Sequence, residues 1–313
     1  MKILYINSSA YDYLTATLVE GLLALGCDLV ASEPSNYARK IPDEHLSAFA
    51  EQADLIVVGS NVGVRTDLVR PVRNPRKVFV DGSDFQLIDP PSDIAFKIVF
   101  KRELGCRYPD PASAFVFPLP FAAETRYFDG DSAQKNVLVS FLANFGTNPM
   151  RFSIHQRLEN LGDPMVVSGF TGERAYIDPP YPLPLATPLY RQVLHRSLIS
   201  VNVPGIGYDC ARFWEILAAR AMLLTYEPDI VIPNGFTDGI DCVSFRSLDQ
   251  FDEKLAYYAP RHDLAAAIAQ RGHERLLAHH TTQARARYFL DIVRRHIDRA
   301  GSWQPPVRLP RTV

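Results

Sequence analysis

The sequence predicts a mixed α/β chain: two Rossmann-like domains facing a cleft, followed by C-terminal helices. Three observations predict it. Short continuous apolar runs such as "KILYI", "DLIVVGS" and "KVFVDG" end in small or polar residues and alternate with amphipathic stretches, the pattern of parallel strands covered on both faces. That pattern pauses near residue 118 and restarts at "VLVSFLA" (137–143). The 313 residues, 47% hydrophobic and 22% charged, are enough for two cores of ordinary composition.

The elements follow in order. "KILYI" (2–6) is a strand, and Leu14, Leu18, Leu22 and Leu25 mark one helical face that Gly26 closes. "CDLVA" is a second strand, 43–52 a helix, and 54–60 and 77–82 two further strands. "FKRE", with Lys101 and Arg102, reads as a helix with a surface face. A linker covers 118–136. Then come strands at 137–143, 164–169, 197–203 and 221–227, with helices near 148–161, 187–196 and 210–220. Residues 248–299 read as mostly helical, and "SWQPPVRLPRTV" as an extended or disordered tail. These readings give an N-terminal domain over 1–125, a second domain over 126–285, and a C-terminal helix and tail over 286–313 that pack back on the first.

A net charge of -2 argues against a nucleic-acid surface. The basic residues Arg285, Arg287, Arg294, Arg295 and Arg299 read as the solvated face of a helix. Cys27, Cys106, Cys210 and Cys242 lack CxxC spacing, so a reduced, cytoplasmic setting is expected. No run approaches the roughly 18 apolar residues of a membrane span, so any membrane contact would be peripheral. The "DPPYPLPLATP" region (178–188) reads as an extended surface loop or a flap beside a cleft.

Several motifs are missing. There is no GxxxxGK[ST] phosphate loop and no GxSxG elbow, and "NSSAYDY" rather than GxGxxG follows the first strand. His279 and His280 lack a third ligand at useful spacing, and "DGD" (129–131) lies in the linker, where a solvated turn is expected. No metal site is expected.

One constellation survives. The strand at 197–203 runs through "PGIGYDC" into "ARFWEILAARA". Gly205 and Gly207 allow a tight turn and close approach to a ligand, and Asp209 reads as the N-cap of the helix that follows. A helix N-terminus just past a strand end suits a phosphate. Arg212 lies in the first turn, where the helix dipole disfavours a cation, so it calls for a partner. Glu215 at i+3 and a bound anion are both open. Glu215 itself fits either an ion pair with Arg212 or the vicinal hydroxyls of a ribose.

From the strand at 198–203 to about residue 290 the chain resembles the C-terminal half of a GT-B glycosyltransferase. It is most similar to the spore-maturation (CgeB-like) branch of the family 1 and family 4 type. The segments that carry the resemblance are "ISVNVPGIGYDCARFWEILAARAMLLTYEPDI", "GFTDGIDCVSFRSLDQFDEKLAYY" and "RGHERLLAHHTTQARARYFLDIV". Weaker matches are "FPLPFAAETRYF", as the interdomain linker, and "VLVSFLANFGTNPMRFSIHQRL", as the first strand, loop and helix of the nucleotide-binding domain. The first 110 residues match in pattern alone.

The resemblance implies a metal-independent glycosyltransferase that uses a nucleotide-diphosphate sugar as co-substrate, without another cofactor. The acceptor, whether glycan, protein or small molecule, is not specified. Glu215 matches the ribose-binding glutamate. Arg212, Gly205, Gly207, Tyr208 and Asp209 match the segment that meets phosphates and sugar, and Asn144 to Thr147 match the loop near the pyrophosphate. Arg151 is a second candidate for the diphosphate charge. Asp249 and Phe251 match a helix start that packs behind the site. The family's other glutamate would fall at position 207, where this chain has Gly207, and Asp209 is the substitute at hand. An inverting reaction would take its base from the first domain, with Asp84 the candidate and Asp81, Asp12 and His45 the alternatives; a retaining one would need none. Two other readings stand beside this one: a nucleotide-sugar epimerase or hydrolase of the same fold, and a non-catalytic two-domain binding protein.

Overall fold

The computed structural model describes residues 1–8, 10, 12–33, 38–60, 63–108, 115–128, 134–171, 188–299 and 303. The linker motif at 129–131 and the proline-rich stretch at 178–187 lie outside them. The chain divides into two compact units. The first comprises Met1–Pro120, Ile230–Ile232 and Thr282–Val313, and the second Phe121–Asp229 and Pro233–Thr281.

The first unit is built on β1 (Lys2–Ile6), β2 (Asp28–Ala31), β3 (Arg39–Lys40), β4 (Leu55–Ser60), β5 (Lys77–Asp81), β6 (Ile98–Lys101) and β7 (Val116–Pro118). They form one sheet in the order β3-β2-β1-β4-β5-β6-β7, parallel at every pairing. Its helices are α1 (Tyr13–Ala24), α2 (Asp43–Gln52) and the short α3 (Thr66–Val69), joined by α9 (Thr282–His296) from the far end of the chain. Leu4, Ile6, Val58, Phe79 and Val99 fill one core cluster. Trp303 packs into it as well, so that residue is not part of an extended tail.

α9 lies against α1 so closely that a Cβ on Gly21 would meet the Thr282 carbonyl oxygen at 2.0 Å. Thr282, Arg285, Ala286, Phe289, Leu290 and Val293 are buried along α9, the three-and-four spacing of an inward helical face. Arg285 therefore falls on the core side rather than the solvated one. The expected helix at "FKRE" is also corrected. Lys101 ends strand β6, and both Lys101 and Arg102 are buried. The strand register explains it: Lys101 stands opposite Asp81 on β5, whose Oδ1 lies 3.0 Å from Nζ. Burial lowers the lysine pKa and the Asp81 charge opposes that shift.

The second unit holds β8 (Val137–Ala143), α4 (Pro149–Glu159), β9 (Val166–Phe170), α5 (Pro188–Arg196), β10 (Ser197–Asn202), α6 (Ala211–Ala218), β11 (Met222–Tyr226), β12 (Val243–Phe245), α7 (Leu248–Tyr258) and α8 (His262–His279). Its sheet runs β12-β11-β10-β8-β9, again all parallel. Val139, Phe141, Ile199, Val201, Leu224 and Phe251 form its core. The strand order reverses between β8 and β10. The loops leaving those two strands diverge there, which makes their carboxyl ends the natural place for a ligand in an open parallel sheet.

Candidate functional site

The loops beyond β8 and β10 are held together by one side chain. Arg151, in the first turn of α4 and buried, directs Nε to the Pro204 carbonyl (2.8 Å) and Nη2 to that of Val203 (3.0 Å). Its Nη1 donates to Asn144 O (2.9 Å) and Thr147 Oγ1 (2.8 Å). Both loops present carbonyls to one planar fork, a pattern that a lysine ammonium does not match. Asn144 accepts from the Gly146 amide at 3.0 Å and so caps the short turn at 145–147. Arg151 thus spends its donors on the backbone and shapes the loops.

Gly205 is needed for proximity. A Cβ there would stand 3.1 Å from Arg151 Nη2. Neither Gly205 nor Gly207 adopts positive φ, so left-handed backbone is not what these positions require. Tyr208 is half-buried and stacks on Tyr226, with ring centroids 6.5 Å apart.

Asp209 is not the N-cap of α6. That position is Cys210, whose side chain makes no capping bond. Asp209 is buried and accepts from the Phe121 amide (2.7 Å) on Oδ2 and from the Trp214 indole (2.8 Å) on Oδ1. Both oxygens therefore tie the chain entering the helix to its surroundings.

Arg212 and Glu215 sit in the first turns of α6, and both are buried. No N···O approach within 4.0 Å joins them directly among the described residues. Tyr190, on α5, stands between them. Its hydroxyl donates to Glu215 Oε2 at 2.6 Å and also contacts Arg212. Tyr127 supplies a second phenol to the same carboxylate. The Tyr127 and Tyr190 rings meet edge-on, 6.5 Å between centroids. Burial raises the Glu215 pKa, and the two tyrosines and Arg212 counter it.

The arginine is left incomplete among the described residues, where its buried Nε and Nη1 find no hydrogen-bond partner. Its guanidinium carbon lies 5.6 Å from the centre of the Phe141 ring. A buried cation with unspent donors at a helix N-terminus, beside the loops at the strand-order reversal, can take an anion with several acceptor oxygens.

The remaining sequence candidates have surroundings of their own. Asp84 pairs with Arg102, and Asp81 with Lys101. Asp12 caps α1, accepting from Leu14 N (3.0 Å) and Thr15 Oγ1 (2.7 Å), and burial raises its pKa. His45 is exposed in α2. Asp249 is exposed in the first turn of α7 and Phe251 is fully buried. His280 is buried and stacks on Phe236, 5.0 Å between centroids. No cluster of three metal-ligating side chains occurs among the described residues, and no helix among them is long and apolar enough to cross a membrane.

Comparison with known proteins places this geometry in context. Residues 156–291 match a family described as glycosyl transferase-like. No curated protein matches the chain by sequence. Among solved structures, a glycosyltransferase from Rickettsia africae is similar over 96% of this chain and 99% of its own, at 10% identity and a TM-score of 0.59. Anabaena HepE in complex with UDP-glucose aligns over 94% of this chain and 100% of its own, at 9% identity and a TM-score of 0.57. An alpha1,3-fucosyltransferase aligns over 97% and 93%, at 10% identity and a TM-score of 0.54. With its two parallel sheets and their helices, the chain has the GT-B glycosyltransferase fold.

Proposed function

We propose that the protein transfers a glycosyl group from a nucleotide-diphosphate sugar, and that the second unit binds the donor. The observation that carries this reading is the buried Arg212 guanidinium, with Nε and Nη1 unpartnered among the described residues, one helical turn from the buried Glu215 carboxylate. A diphosphate supplies the acceptors that Arg212 lacks, and a ribose supplies hydroxyls for the lone pairs of Glu215 that the tyrosines leave open. The glycosyl transferase-like match spans both residues. Structures of similar fold were determined with UDP-glucose and with GDP-fucose, two donors of this class.

In this reading Arg212 and the N-terminus of α6 meet the negative charge that grows on the departing diphosphate, in a place where water is largely excluded. The sugar carbon becomes oxocarbenium-like as that bond breaks. The reaction calls for no metal and no cofactor beyond the donor.

A thermal-shift series with UDP-, GDP-, dTDP- and ADP-sugars tests the reading on the wild type, Glu215→Ala and Arg212→Ala. At least one donor raises the wild-type Tm, and both variants lose that gain. If no donor shifts the wild type, the donor-binding reading fails. Equal gains in wild type and Glu215→Ala would remove the ribose role.

A further inference from the structure

The glutamate proposed to hold the donor ribose does not stand alone. Glu215 is 6% exposed, and a carboxylate so buried needs hydrogen-bond donors to remain charged and to hold one rotamer. Its own helix provides none, and Arg212 does not reach it directly. The donors come from two separate segments. Tyr190 on α5 approaches Oε2 to 2.6 Å, and Tyr127 comes from the short 3-10 turn at Thr125–Tyr127. Both tyrosines are buried, at 6% and 1% exposure, and their rings cross at 90°, so each locks the other's orientation. Tyr190 also contacts Arg212 and thereby links the two groups assigned to ribose and diphosphate.

We propose that Tyr190 and Tyr127 are positioning residues for donor recognition, fixing the Glu215 carboxylate so that its free lone pairs face the ribose hydroxyls. The inference rests on the donor-site reading given above. It extends that reading to two residues whose aromatic character alone would place them in the core. Each phenol occupies one acceptor position of a group that has about four, which leaves room for a vicinal diol. Loss of a phenol hydroxyl frees the carboxylate to turn away, and the site then ceases to distinguish a ribose from a 2′-deoxyribose. Tyrosine to phenylalanine keeps the ring and its packing, so the hydroxyl is the variable under test.

The experiment measures Kd by calorimetry for UDP, GDP and ADP and for their 2′-deoxy counterparts. The proteins are the wild type, Tyr190→Phe, Tyr127→Phe and Glu215→Gln, each checked for fold by its Tm. The informative quantity is the ratio of deoxy to ribo Kd for the diphosphate that binds. A merely structural loss would weaken both ligands together and leave the ratio in place. The expected wild-type ratio is about tenfold or more. It falls to about threefold or less in Tyr190→Phe, falls in the same direction in Tyr127→Phe, and falls to about one in Glu215→Gln.

If the ratio collapses in Glu215→Gln but persists in both tyrosine variants, the positioning proposal is overturned and the ribose assignment survives. If the wild type binds a diphosphate without distinguishing the sugars, the ribose assignment falls and the proposal falls with it. Absence of binding by all three diphosphates, and by dTDP as well, overturns the donor-site reading itself. Should one tyrosine variant fail to fold, the other carries the same comparison.

Discussion

The Tyr190 hydroxyl lies 2.6 Å from Glu215 Oε2 and also contacts Arg212, so one phenol separates two buried opposite charges that never touch. The first prediction concerns the electrostatic consequence. Burial raises the Glu215 pKa above its ordinary 4.5, and the native state therefore holds that proton more tightly than the unfolded chain does. The stability this provides is fully present below the ordinary carboxylate value and is lost as pH rises through the raised one. Glu215→Gln lacks the titration. The wild-type Tm should accordingly fall relative to that of Glu215→Gln as pH is raised from about 4 to about 8, by about 2–4 °C for each kcal/mol of linkage. Scanning calorimetry of both proteins across that range provides the check, and a difference that does not vary with pH would contradict it.

Arg151 gives a second prediction. It joins the loop after β8 to the loop after β10 through three backbone carbonyls and one hydroxyl. Arg151→Ala leaves several buried acceptors unpaired, which costs about 1–3 kcal/mol for each that stays dry. The expected loss is on the order of 3 kcal/mol in urea unfolding. Arg151→Lys recovers only a minor part, because a single ammonium does not span both loops. Full recovery by lysine would show that charge, rather than the planar fork, is what the loops require.

Much of this architecture was legible in the residues, and the failures have physical reasons. Strands such as 2–6 and 137–143 stood out because both of their faces are largely buried and the run is apolar but for Lys2 and Ser140. Strand β6 was missed because its last residue is Lys101, a charge admitted to the core only by Asp81 on the neighbouring strand. Nothing within "FKRE" announces that partner, 20 positions away. The tiny β3 and the short β7 and β12 carry too few residues to show alternation. At the site, Arg212 and Glu215 were legible as charges in an apolar helix, and Arg151 as a nearby cation. Tyr127 and Tyr190 were invisible, since a buried aromatic looks the same in sequence whether its hydroxyl serves the core or a carboxylate. Asp209 preceded a helix and read as its cap, but its two oxygens were claimed by Trp214 and by Phe121, 88 positions away.

The contact between α1 and α9 supports a third prediction, within the first unit. A methyl group at position 21 would stand 2.0 Å from the Thr282 carbonyl oxygen and 2.9 Å from Ala286 Cβ. The nearest obstacle is backbone, which does not swing aside as a side-chain tip would. Gly21→Ala should therefore force the helices apart and cost about 1–3 kcal/mol, despite the better helix propensity of alanine. Denaturant unfolding of this variant measures the loss. A gain in stability would mean that the two helices pack less closely than described.

Arg212 offers the sharpest separation of stability from function. A buried guanidinium with Nε and Nη1 unpartnered among the described residues has lost hydration without full compensation there, a cost that folding alone does not require. Arg212→Met keeps much of the side-chain volume and removes the charge. It should change the ligand-free stability little, by no more than about 1 kcal/mol in either direction, because the relief of desolvation is offset by loss of the contacts with Tyr190 and the Phe141 ring and of the charge that supports Glu215. The same variant should gain no stability from UDP or GDP, because the anion then has no cation to complete. Thermal unfolding with and without about millimolar diphosphate reads both quantities at once. A variant that loses stability yet still responds fully to the nucleotide would make Arg212 part of the framework. The reverse pattern identifies a residue held at some expense to the fold for the sake of the ligand.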